Sequence, residues 1–154
     1  LKRAREAGNW IATDVHALSN LEDDYNRDFM QAAHILFLSH ESLPAAPEEF
    51  ARALIGRYAN QIVVIGMGAQ GALLAVRDGH TTHTQHFPAV FTRPVVNTIG
   101  AGDALFSAFL HTYNKTLNPY EALRQATFFA SYKIGESGAA EGFLDESGLN
   151  RLLI

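Results

Sequence analysis

The sequence contains no cysteine, and only two methionines and one tryptophan. Without cysteine there is no disulfide and no thiolate metal site. Charged residues make up 18% of the 154, and the formal net charge is −4. That balance supplies no basic field for nucleic acid. No run reaches the roughly 18 apolar residues of a membrane-spanning helix. There are no internal repeats and no low-complexity tracts. The opening stretch, Leu1-Lys2-Arg3-Ala4-Arg5-Glu6-Ala7, is charged and helix-like, unlike a secretory leader. These absences predict a single cytoplasmic domain over residues 1–154, with no membrane or nucleic-acid partner. The chain also lacks an initiator Met and opens inside a helix that Gly8-Asn9 closes, which predicts a piece of a longer protein.

What is present is an α/β pattern. Apolar residues make up 47% of the chain, enough for a real core. Residues 10–15 read as a short strand ending near Asp14. Residues 25–33 read as a helix with Asp23 or Asp24 as its N-cap. The runs 34–38 and 61–65 are continuously apolar, as in strands buried on both faces. A helix over 47–58 lies between them, with Pro47 at its start and acids in its first turn. This strand–helix–strand–helix–strand order predicts a mostly parallel sheet. A further strand over 72–76 then turns at Arg77-Asp78-Gly79 into the polar run 80–87, which reads as a hairpin. Helices are predicted over 101–113 and 119–134, and a terminal helix over 145–153 with Asp145 as its cap.

Several stretches invite a chemical reading. Gly66-Met67-Gly68-Ala69-Gln70-Gly71 matches the dinucleotide fingerprint G-x-G-x-x-G in letters. That fingerprint needs a helix next, and here a strand follows, so the context fails. His80, His83 and His86 suggest a metal. On a strand, however, His83 would face away from the other two, and no cysteine or acidic partner is expected nearby. Asp14 and Glu41 are predicted just beyond the carboxyl ends of strands, where parallel sheets place ligand residues.

The strongest signal is Asn97-Thr98-Ile99-Gly100-Ala101-Gly102-Asp103, running into an amphipathic helix. A helix N-terminus leaves amides unpaired and carries partial positive charge. Glycines let that backbone approach an anion closely. A carboxylate in the first turn that merely complemented the dipole would not need Gly100-Ala101-Gly102 before it. Amides for a transferring phosphoryl group, with Asp103 as base for an attacking hydroxyl, fit the pattern better.

The stretch Asn97 to Leu105 resembles the second signature of the ribokinase-like (PfkB) carbohydrate kinases, usually D-T-x-G-A-G-D-x-F. Val63-Val64-Ile65-Gly66-Met67-Gly68-Ala69-Gln70-Gly71-Ala72-Leu73-Leu74 is similar to the family's V-T-L-G-x-x-G-x-L strand and turn. Residues 126–139 are similar to its late helix and Gly-Ala loop. The resemblance covers nearly the whole chain but only the C-terminal half of a usual member. It implies a three-layer α/β/α ribokinase-like domain, incomplete here, that phosphorylates a sugar or nucleoside hydroxyl with ATP and Mg²⁺. A monovalent cation is a further candidate cofactor, and a homodimer the candidate assembly. Asp103 would be the general base, with the Gly100, Ala101 and Gly102 backbone as anion hole. Gly68, Gly71, Asn97, Thr98, Ser131 and Gly138 would surround the nucleotide, and Glu41 would serve the metal. The 154 residues alone are expected to lack activity.

The chain departs from the family pattern at three places. Asn97 stands where Asp is usual, Gly66 where Thr is common, and Ser39-His40-Glu41-Ser42 where N-x-x-E is expected. On the same fold, a non-catalytic metabolite- or nucleotide-binding module is the alternative. A dinucleotide-dependent oxidoreductase is a third reading, which requires NAD(P) at residues 66–71.

Overall fold

The computed structural model describes residues 1–153. It divides into two compact units: Leu1–Met67 with Ala72–His86, and Gly68–Gly71 with the chain from Phe87 onward.

The first unit is built on five strands in the order β1-β2-β3-β4-β5. These are β1 (Ala12–Ala17), β2 (Ile35–Ser39), β3 (Ile62–Gly66), β4 (Ala72–Asp78) and β5 (Thr81–Phe87). β1 and β2 are parallel, as are β2 and β3, while β4 is antiparallel to β3. Parallel neighbours need a crossover, and helices provide it. Helix α1 (Lys2–Glu6) precedes β1, α2 (Arg27–Ala32) joins β1 to β2, and α3 (Pro47–Tyr58) joins β2 to β3. The apolar runs behave as expected: Ile35–Leu38 and Ile62–Ile65 are buried at every position. One side chain set, Leu36, Leu38, Val63, Ile65, Leu73 and Ala75, packs with Met30 of α2 and with Phe50, Leu54 and Ile55 of α3. Buried Asn60 joins this core polar-side down, donating to the Met30 and Ala33 carbonyls at 2.9 and 2.7 Å. Those carbonyls end α2 and have no partner within the helix.

Three details differ from the sequence reading. β1 does not stop at Asp14 but continues to Ala17 through a register shift, with His16 in left-handed backbone at φ 60. Asp14 therefore lies inside the strand, its Oδ1 accepting from the His16 amide at 2.8 Å. The cap of α2 is Asn26, not Asp23 or Asp24. Asp23 instead accepts from the Asn26 amide at 2.8 Å, and Asp24 pairs with Arg27.

The hairpin forms as read: β4 and β5 are neighbours joined by Gly79-His80. β5 is polar and mostly exposed along its length, and Arg52 of α3 donates to the Thr82 carbonyl and to Thr84 Oγ1.

The second unit begins with the 3-10 turn Gly68–Gln70 and continues, after β5, with a long loop to residue 100. Helices α4 (Ala101–Thr116) and α5 (Pro119–Lys133) then form an antiparallel pair, followed by α6 (Glu146–Leu152). α4 buries Ala104, Leu105, Ala108, Phe109 and Thr112; α5 buries Ala122, Leu123, Ala126 and Phe129 among others. The alanines at helical spacing let the two backbones approach, with the larger side chains filling between them. The helix ends are marked chemically. Asn118 accepts from the Tyr120 and Glu121 amides at 3.0 and 3.2 Å, with Pro119 at the first helical position. Asp145 caps α6 as expected, accepting from the Gly148 amide at 2.7 Å.

Candidate active site

The turn before α4 is shaped by residues with separate tasks. Gly100 takes left-handed backbone, φ 79, as the cap of α4. A β-carbon there would lie 2.8 Å from the Ala139 carbonyl oxygen, so glycine is required for conformation and for space. At Gly102 nothing stands within 4 Å of the same position, so that side of the turn is open. The Ala101 amide donates to the Thr98 carbonyl at 3.1 Å, closing the turn. The amides of Gly100, Gly102 and Asp103 have no hydrogen-bond partner among the described residues. Three unpaired donors therefore gather at the positive end of a 16-residue helix. The Ala101 amide, part of the expected anion hole, joins them only when its bond to Thr98 opens. Asp103 stands in the first turn, exposed and without an ion pair among the described residues. Its carboxylate is free to meet a second molecule.

The approach to the turn is tied down by Asn97. Its Oδ1 accepts from the Ile99 amide at 3.0 Å, and its Nδ2 donates to the Ser137 carbonyl at 2.8 Å. Both polar ends of the side chain are engaged. This accounts for asparagine where the family pattern has aspartate, since a carboxylate could accept from Ile99 but not donate to Ser137. Thr98 contributes the carbonyl that closes the turn, and its side chain is exposed.

Other expected nucleotide residues are used internally. Ser131 is buried. Its hydroxyl donates to the Val90 carbonyl at 2.8 Å, accepts from the Thr92 amide at 3.1 Å and lies 3.0 Å from Thr92 Oγ1. It fastens the loop at 90–92 and presents no free hydroxyl. The Gly138 amide donates to Glu141 Oε2 at 3.0 Å. Gly68 (φ 57) and Gly71 (φ 96) frame the 3-10 turn, with the Gly71 amide bonded to the Gly68 carbonyl at 3.0 Å. Gly71 packs so closely on residues 87–89 that a β-carbon would fall 2.1 Å from the Phe87 carbonyl oxygen.

Two residues that the sequence reading passed over stand out in this unit. Arg93 stacks on Tyr132 with its guanidinium carbon 3.8 Å from the ring centroid, and pairs with Glu136 at 2.8 Å. Lys133, at the end of α5, is buried and donates through Nζ to the Ile99 carbonyl. The only sequence signal for Lys133 was a basic residue where a helix ends, which a dipole argument explains without a site.

In the first unit, Glu41 follows β2 in an exposed loop, its amide donating to Ser39 Oγ at 3.3 Å. His40 is bound to Gly66 twice: its amide donates to that carbonyl at 3.0 Å, and its Nδ1 lies 3.1 Å from the same oxygen. Gly66 itself has room for a side chain, its nearest neighbour being the Leu38 carbonyl oxygen at 3.9 Å. No group of three or more His, Cys, Asp or Glu side chains is placed to hold a metal among the described residues. The acidic neighbour thought absent from the hairpin histidines is present: Asp78 lies 3.6 Å from His83 Nε2, with both side chains exposed. No described helix is long and apolar enough to cross a membrane.

Comparison with known proteins agrees with this architecture. A 1-phosphofructokinase of Haloferax volcanii is 34% identical over 146 residues, 88% of this chain and 44% of that protein. The solved ribokinase of Thermotoga maritima superposes with a TM-score of 0.81 at 20% identity, over 99% of this chain and 52% of its own. Aminoimidazole riboside kinase from Salmonella enterica, solved with aminoimidazole riboside and an ATP analogue, gives 0.80 at 27% identity, over 99% and 55%. The chain thus spans about half the length of the relatives it matches, and its α/β fold is ribokinase-like. The profile of the pfkB family carbohydrate kinases matches residues 2–146, and the chain belongs to that family.

Proposed function

We propose that the chain is the nucleotide-binding and catalytic portion of a kinase that moves the γ-phosphoryl group of ATP to a hydroxyl of a sugar or nucleoside. The observation that carries this reading is the pairing of exposed, unpaired Asp103 with the unpartnered amides of Gly100, Gly102 and Asp103 at the start of α4. Phosphoryl transfer asks little covalent chemistry of a protein. It needs donors aimed at negative oxygens and a base for the attacking hydroxyl.

Asp103 accepts the hydroxyl proton as the acceptor oxygen attacks phosphorus. The amides at the helix start hold the oxygens of the transferring group, and the partial positive charge of the 16-residue helix stabilises the charge they carry. The open side of Gly102 leaves room for the group. The nucleotide lies against the Gly68–Gly71 turn and the loop after α5. Mg²⁺, when bound, supplies charge neutralisation on the phosphates. Such ions are held by one or two carboxylates together with phosphates and waters. The relative that carries an ATP analogue and a riboside supports the nucleotide and the class of acceptor.

The test is ADP release by the complete protein carrying this chain, with ATP and a panel of sugars, sugar phosphates and nucleosides. Asp103→Ala is expected to leave the thermal midpoint unchanged and to lower kcat by about 10²- to 10⁴-fold, the usual contribution of a general base. Wild-type kcat in that variant removes the base assignment. Saturable ATP or sugar binding with no turnover of any acceptor favours a binding module instead.

A further inference from the structure

Lys133 is 3% exposed, and no carboxylate pairs with it among the described residues. Buried charges are usually matched by an opposite charge. Here the ammonium has instead a backbone acceptor, the Ile99 carbonyl, one peptide before Gly100. Its Cε lies 3.4 Å from where a β-carbon on Gly100 would stand, so the side chain lies against the turn itself.

The choice of carbonyl matters. Ile99 C=O and Gly100 N–H belong to one peptide group, and no cis peptide occurs in the described chain. In a trans peptide the carbonyl and the amide point in opposite directions. Whatever fixes the Ile99 oxygen therefore fixes the direction of the Gly100 amide, one of the three unpartnered donors before α4. A cation on the oxygen also polarises the peptide and makes its N–H a stronger donor.

We infer that Lys133 is a positioning residue for phosphoryl transfer: by holding the Ile99 carbonyl it aims and strengthens the Gly100 amide as a donor to the transferring group. This rests on the proposed reading of the turn as an anion hole. Lys133 does not touch the reacting atoms.

The test uses the complete protein with ATP and whichever acceptor it phosphorylates. Lys133→Met keeps the length and removes the charge. It is expected to lower kcat by about tenfold or more, in the range of a lost oxyanion donor, with KM for ATP and the thermal midpoint near wild type. Lys133→Ala should regain turnover when ethylammonium is added. A readout independent of turnover is the Gly100 amide ¹⁵N resonance, which should move in Lys133→Met while that of Gly102 stays. Three results overturn the inference: unchanged kcat in Lys133→Met, a loss of kcat that only parallels unfolding and resists ethylammonium, or an unmoved Gly100 resonance. Asp103→Asn separates the two levels. If that variant keeps wild-type turnover, the base assignment fails, and with it the reading of the turn as a phosphoryl-transfer site. If it is inactive while Lys133→Met is fully active, only the role of Lys133 fails.

Discussion

Asn97 and Ser137 are 40 residues apart in sequence, yet Asn97 Nδ2 donates to the Ser137 carbonyl at 2.8 Å. The same side chain accepts from the Ile99 amide at 3.0 Å, so one residue joins the turn before α4 to the loop after α5. Asn97→Asp preserves the acceptor and removes the donor. The Ser137 carbonyl then faces a carboxylate oxygen. The variant is expected to lose about 1 kcal/mol in urea unfolding, the usual size of one such bond. A variant as stable as wild type would mean that the contact to Ser137 contributes nothing.

Gly100 is expected to tolerate no side chain. It combines φ 79 with the Ala139 carbonyl oxygen 2.8 Å from a would-be β-carbon. Left-handed backbone alone costs an alanine about 1–2 kcal/mol, and the backbone clash adds to it. Gly100→Ala should therefore lower both stability and kcat, whereas Gly102→Ala, into open space, should spare stability. Equal unfolding midpoints for Gly100→Ala and wild type would contradict this.

Ser131 provides a contrast between a structural and a nucleotide-binding hydroxyl. Its Oγ serves the Val90 carbonyl and the Thr92 amide inside the fold. Ser131→Ala leaves both without that partner and is expected to cost about 1–3 kcal/mol in unfolding free energy. Affinity for ATP, read by calorimetry, should change little. The opposite pattern, stable protein with weakened ATP binding, would return the hydroxyl to the nucleotide.

His34 makes stability depend on pH. Burial, and then the nearby Arg5 charge, hold its pKa below the ordinary 6.5. Its Nδ1 accepts from the Ile11 amide at 3.0 Å, a bond only the neutral ring can make. With the folded value below the unfolded one, the unfolded chain binds the proton more readily. The contribution of His34 is therefore fully present above the unfolded value and is lost as pH falls through the lower folded value. Unfolding midpoints measured from neutral to mildly acidic pH should fall with pH, and His34→Gln should flatten that slope. An equal slope in both proteins would assign the acid sensitivity elsewhere.

How much of this could be read from the chain depends on the range of the interaction. The runs at 34–38 and 61–65 gave their strands because burial on both faces writes itself as unbroken apolar sequence. Asp145 gave its cap because the partner, Gly148, is three residues away. Asp23, Asp24 and Asn26 were harder, since several polar residues in a row can each start a helix. Which one does so depends on a turn that Asp23 makes with Asn26. The turn at 97–103 and its exposed acid were visible as a motif. That Asn97 and Ser131 are already committed to internal bonds was not, because their partners lie 39–41 residues away. The bond from Lys133 to Ile99 spans 34 residues and was equally silent. The bulge in β1 turns on a left-handed His16, a residue type that gives little warning of it.

The contact from Arg52 to β5 bears on how the molecule behaves in a crowd. β5 ends the sheet, and an outermost strand offers its open peptide groups to any other chain. Arg52 reaches from α3 to occupy the Thr82 carbonyl, and the strand's threonines, histidines and glutamine give a neighbour little apolar surface to grip. Protection against sheet-to-sheet growth along β5 thus rests on one guanidinium and a polar border, and is separate from the core that holds the fold.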